Sequence, residues 1–413
     1  MALYAPLGLN WMDFHAERML TGVSFLAENG LNQFGFTMWQ LCTDCVLEPG
    51  VTEGVYHSSL HAINISPYLL IYLFGGKESL LILGPMLDKF IIFICGVLVA
   101  ELMIKSVQRI TKLDIFLIGT ACFSLFAVSP WVYKIFLGGW WEIYFILFYL
   151  SGLFAFQNDK FKLGLIFFLF AGFAQSVWGS WLAFFYLLII LIPLVFKGYD
   201  ASSKFFPVDS KSNNHKLLII AVLVFPQLFF VILTMIGAPY VEFGTSSSLF
   251  WRMGISGEDT HNGGIIGALQ FLGGSRFTAC FGGYGTGIFS AGNMALIGMY
   301  NCMFSIFGMA LISLISVAGL YLLVRSSNLA ARFFLPLTFA ILMFIGVFQQ
   351  SLSVHLMGYS FIFAVLFAAG ISKLITLLFE KTGSNVIGII FSVPCLAGIL
   401  ILSIRVSMLS SMN

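Results

Sequence analysis

The chain has 413 residues, 59% of them hydrophobic and only 9% charged. Soluble domains carry roughly a quarter of their residues as charges, so this composition excludes an ordinary water-soluble globular protein. The formal net charge of +2 leaves no electrostatic footprint for nucleic acid, and none is expected as a partner. Continuous apolar runs at 84–104, 163–196, 216–238 and 293–324 reach or exceed the about 20 residues that cross a bilayer. Unbroken rather than alternating apolarity points to helices and not to a closed barrel. The expected fold class is therefore an all-α polytopic membrane protein.

The first segment, residues 1–83, is polar at its head. "LNWMDFHAERML" (9–20) groups Asp13, His15, Glu17 and Arg18 at the start of a helical pattern closed by Asn29-Gly30, and no signal peptide precedes it. "CTDC" has half the spacing of a zinc site, but no second half follows. Cys42 and Cys45 read as a disulfide or as two free thiols. His57 and His61 stand at i and i+4 in "HSSLHAIN" and are kept as candidate binding residues. "NISPYLLIYLFGG" (64–76) is too short to span and reads as an interfacial helix.

Ten spans follow, near 84–104, 114–131, 141–157, 163–177, 180–196, 216–238, 293–324, 331–349, 355–379 and 386–408. The run 163–196 is too long for one crossing and is divided at "QSVWGSW". Charge tests this division. Alternate loops carry Lys105, Arg109 and Lys112, then Lys160 and Lys162, then Lys197, Lys204, Lys211 and Lys216, then Arg325 and Arg332, then Lys381 with Lys373 nearby. Thirteen of the 20 basic residues thus fall on one side, which the positive-inside rule makes cytoplasmic. Both termini then lie outside. The parts are a first extracytoplasmic loop (1–83), spans within 84–238, a Gly-rich extracytoplasmic loop (239–292) and C-terminal spans (293–413).

On the outer side, polar residues from distant parts of the chain collect at helix ends. Asp13 lies in the first loop, Glu142 opens a span in "GGWWEIYF", and His355 and Tyr359 open another in "QQSLSVHLMGYS". Ionisable groups near the membrane are costly and tend to mark a site. Each also has an ordinary reading: Asp13 as a solvated charge or helix cap, Glu142 as a carboxylate favoured by the helix dipole, His355 as a helix-end donor. The clusters "GGWW" and "SVWGSW" fit an aromatic belt at the interface, or a platform for a sugar ring.

The order of these pieces resembles a known family. An Asp in a long first outer loop precedes an amphipathic helix and "SPYLLIYLFGGKESLLILGPMLDKFIIFICG"; next come "SPWVYKIFLGGWWEIYFILFYLSGLFAF", "GLIFFLFAGFAQSVWGSWLAFFYLL" and, late, "HLMGYSFIFAVLFAAGISKLI". The pattern is similar to the GT-C superfamily of integral-membrane glycosyltransferases, which includes protein O-mannosyltransferases and lipid A aminoarabinose transferases.

The resemblance implies transfer of a sugar from a polyprenyl-phosphate donor to a lipid, glycan or protein acceptor at the outer face of a bacterial inner (plasma) membrane. The acceptor hydroxyl needs a general base, and Asp13 matches that position. Glu142 becomes a second acidic group, orienting the acceptor or sharing a divalent metal (Mg or Mn) with Asp13. His355, with Arg252 or Arg276 from the second outer loop, holds the lipid-linked phosphate.

Two departures stand out. Asp13 is followed by Phe14 and His15 where the family has an acidic doublet. The family also has a spanning helix before that Asp, for which "MALYAPLGLNWM" is too short, so a true start upstream is expected. Two other classes compete. One is a secondary transporter or lipid flippase. The other is a surface-polysaccharide polymerase or ligase using Arg252, His261 and Arg276.

Overall fold

The computed structural model describes residues 62–106, 142–195, 204–208 and 213–237, with 23, 24, 27, 321, 331–333, 335–340, 343 and 381. Among the described residues all regular structure is helical and no strand occurs. The chain divides into two compact units, one of residues 1–98 and 134–245, the other of 99–133 and 246–413.

Among the described residues the longer helices are α1 (Ala62–Ser106), α2 (Glu142–Gln157), α3 (Phe161–Ala174), α4 (Ser176–Val195) and α5 (Asn213–Gly237). Gly76 breaks α1 into two arms, at φ 69 and ψ −169, a conformation open to glycine. In the first arm Tyr68 donates its hydroxyl proton to Oδ1 of Asp88 in the second, twenty positions on. A straight helix would hold those residues about 30 Å apart. The chain therefore folds back at the Gly75-Gly76 pair, and residues 73–78 form an exposed tip, with Phe74 89% exposed.

The next two helices are joined by a tight turn. Asp159 is left-handed (φ 57), Lys160 N donates to Ala155 O at 2.9 Å, and Asp159 N donates to Phe156 O at 3.1 Å. This is the Schellman arrangement, which satisfies the last carbonyls of α2. Ring pairs Phe156–Phe161, Tyr149–Phe168 and Phe148–Phe170 then run in opposite senses along the chain, so α2 and α3 are antiparallel.

Another corner separates α3 from α4. Gln175 is extended (φ −150, ψ 91), one residue between two helices. A Cβ on Gly179 would lie 3.1 Å from the Cα of Gly172, whereas a continuous helix would separate these positions by about 10 Å. The run 163–196 is thus interrupted within "QSVWGSW". Helix α5 lies parallel to α3, since Phe161 meets His215 at one end (4.2 Å between centroids) and Phe173 meets Phe225 and Phe229 towards the other.

Small residues make these contacts close. A Cβ on Gly152 would meet the Phe168 ring at 2.5 Å, one on Gly164 the Phe156 ring at 2.5 Å, and one on Gly172 Pro226 at 2.8 Å. Where both partners are apolar, close backbone approach brings dispersion contacts that bulkier residues would prevent.

The outward face is apolar. On α1 the exposed residues Ile82, Met86, Phe90, Phe93 and Val97 recur at three- and four-residue intervals, and Leu218, Phe225, Leu228 and Ile232 follow the same period on α5. Among the described residues no single helix is long and apolar enough to cross a membrane. The stretches Asn64–Gly84 and Met86–Leu102 meet that test jointly in length and composition only, and the first of them runs across the reversal at Gly76. In the second unit the described positions include a short apolar helix, Ala331–Ala340, in which Arg332 is buried.

Candidate functional site

Asp13, His57, His61, Arg252, Arg276, His355 and Tyr359 lie outside the described residues. Glu142 is the first residue of α2. Around that helix start the first unit gathers buried polar side chains.

Four consecutive residues after Glu142, Ile143 to Ile146, are buried, so the first turn of α2 is enclosed on every side. The Tyr144 ring meets Tyr68 edge-on at 6.2 Å, and Phe145 meets Trp178 edge-on at 5.1 Å. Tyr68, in turn, holds Asp88, which has no exposed surface. A buried carboxyl is costly unless hydrogen-bonded, and the Tyr68 hydroxyl supplies that bond.

One turn before Tyr68, buried Asn64 donates from Nδ2 to the carbonyl of Ala174 at 2.9 Å. Ala174 is the last residue of α3, whose terminal carbonyls lack helical partners. Asn64 thereby ties the first arm of α1 to the α3–α4 corner, beside buried Gln175 and Trp178.

The helix directions place these groups at one end of the unit. Glu142 and Tyr144 begin α2, and Ala174 and Gln175 end the antiparallel α3. The opposite end holds Lys160 and Lys162, both exposed, with His215 and Lys216 at the start of α5. There Lys216 lies over the Phe206 ring at 5.8 Å and Lys204 over Phe205 at 5.7 Å.

Asn64, Tyr68, Asp88, Tyr144 and Gln175 were not singled out from the sequence. A signal for Asp88 exists: it is a carboxylate inside the apolar run 84–104. Its neighbours Pro85 and Lys89 make the stretch read as a span edge instead. Nothing in the sequence pairs Asp88 with Tyr68, because that contact depends on the reversal at Gly76. Among the described residues no three His, Cys, Asp or Glu side chains converge as metal ligands. Comparison with known proteins finds no matching family model, no matching curated protein and no matching solved structure.

Proposed function

We propose that the chain is a membrane-embedded glycosyltransferase that moves a sugar from a polyprenyl-phosphate donor to an acceptor at the extracytoplasmic face. The observation that carries the membrane part is the inverted polarity of the first unit. Asn64, Asp88 and Gln175 are inside while Phe90, Phe225 and Leu228 face out at more than half exposure. Lipid is the solvent in which such a surface costs least.

The bipolar arrangement supports the proposed orientation. Lys160, Lys162, His215 and Lys216 share the end that the loop charges make cytoplasmic. The buried polar groups and the start of α2 share the other end, where a lipid-linked substrate presents its head group. The glycosyltransferase reading itself draws on the order of motifs from Asp13 to Tyr359. In it Asp13 is the general base, Glu142 the second acid, and His355 with Arg252 or Arg276 the phosphate-binding set.

The test is direct. Membrane vesicles containing the protein are given a polyprenyl-phosphate-linked hexose bearing a radiolabel, and label in lipid, glycan and protein fractions is followed. Asp13→Asn should abolish transfer while leaving membrane insertion intact. Full transfer by that variant would remove Asp13 as the base. Glu142→Gln should cost less unless the two carboxylates share a metal.

A second reading, secondary transport of a polar solute, draws on a different observation. Asp88 is a fully buried carboxyl within a predicted span, and α3 and α4 meet at a break, both features of transport sites. Counterflow of label into vesicles without covalent transfer would favour it.

A further inference from the structure

We propose that Asp88 is a positioning residue: its bond from Tyr68 clasps the two arms of α1 and, through Tyr144, sets where α2 begins and so where Glu142 stands. The inference rests on the reading of Glu142 as a working group of the proposed site.

Three observations converge on it. Asp88 accepts the Tyr68 hydroxyl across the reversal at Gly76, so the pair joins the two arms. Tyr68 is fully buried and packs edge-on against Tyr144, two residues into α2. The same arm is pinned a turn earlier, where Asn64 donates to Ala174 O at 2.9 Å. The first arm of α1 thus touches the second arm, the start of α2 and the end of α3 through these three side chains. Asp88 itself has no exposed surface, so it acts on substrate through its neighbours rather than by contact. A displacement of the Tyr68 ring passes to Tyr144, which it meets edge-on, in a first turn of α2 whose residues are buried and so held by close-packed neighbours.

The experiment uses full-length protein in membranes, with its native cysteines replaced, and two readouts. The first is the rate at which Glu142→Cys reacts with a membrane-impermeant maleimide. Tyr68→Phe and Asp88→Leu should each raise that rate about tenfold, and their combination should do no more than either alone. Asp88→Asn keeps an acceptor oxygen for Tyr68 and should leave the rate within about twofold. An unchanged rate in both Tyr68→Phe and Asp88→Leu overturns the proposal.

The second readout is sugar transfer with Glu142 intact. Tyr68→Phe and Asp88→Leu should lower kcat by about 10- to 100-fold with little change in KM, the signature of a displaced group, and Asp88→Asn should restore most of it. An Asp88→Asn variant as inactive as Asp88→Leu, with labelling unmoved, would make Asp88 part of the chemistry and overturn a positioning role. Where Asp88→Leu does not reach the membrane folded, Tyr68→Phe, which removes one hydroxyl, decides. If wild-type vesicles transfer no sugar, the glycosyltransferase reading fails, and the labelling rates still decide whether the clasp exists.

Discussion

Asp159 stands in the left-handed region (φ 57) at the turn between α2 and α3, where its N–H bonds Phe156 O at 3.1 Å. A side chain with a Cβ is strained there, and Asp tolerates the strain better than most. Asp159→Gly should raise stability by up to about 1 kcal/mol, and Asp159→Val, branched at Cβ, should lower it by about 1–2 kcal/mol. Unfolding midpoints of the purified protein in detergent check both. Asn64 presents the opposite case, a side chain that ties two elements together. Asn64→Val would remove the bond to the Ala174 carbonyl at the α3–α4 corner. Losing such a bond costs about 0.5–1.5 kcal/mol. Asn64→Asp should not rescue it, because a carboxylate offers no proton to a carbonyl.

At the scale of helices, glycines let large buried rings and neighbouring backbones approach closely. Gly172 is the clearest position: a Cβ there would lie 2.8 Å from Pro226 Cγ and 3.4 Å from Leu223 O. Gly172→Leu should separate α3 from α5 and destabilise the protein by about 1–3 kcal/mol, the range for overpacking. Gly76→Ala, with nothing within 4 Å of its added carbon, should cost only the backbone strain. Comparing the two by thermal unfolding separates steric from conformational roles. These elements were largely legible in the sequence. The predicted spans 141–157, 163–177, 180–196 and 216–238 correspond to α2, α3, α4 and α5 within a few residues. Long apolar runs bounded by Asn, Lys and Gly state both the existence and the ends of such helices. A break within "QSVWGSW" was legible from run length and that interruption, between spans ending at 177 and starting at 180, and it falls at Gln175. The fold-back of α1 was not: Gly75-Gly76 signals a turn, but only tertiary contacts such as Tyr68 with Asp88 decide its angle.

At the scale of the molecule, Glu142 alone of the candidate site residues lies among the described ones, at the start of α2. Counting basic residues by loop assigns Glu142 and Lys160 to opposite faces; in the structure Glu142 begins α2 and Lys160 lies just beyond its other end. Which buried groups stand near Glu142 depends on how helices pack, and apolar periodicity carries little of that when both faces of a helix are apolar. The orientation proposed for the membrane can be tested at exposed positions of the first unit. Lys77 is exposed at the tip of the α1 hairpin, and Lys160 is exposed in the turn between α2 and α3. With native cysteines replaced, Lys77→Cys should react with a membrane-impermeant maleimide in intact cells. Lys160→Cys should react only after permeabilisation. Both positions are surface lysines with no resolved role in packing, so neither change should disturb the fold. Labelling of Lys160→Cys in intact cells would invert the orientation and move the buried polar end to the cytoplasmic side. A polyprenyl-phosphate donor presented from outside would then have no site at that end, and the glycosyltransferase reading would go with it.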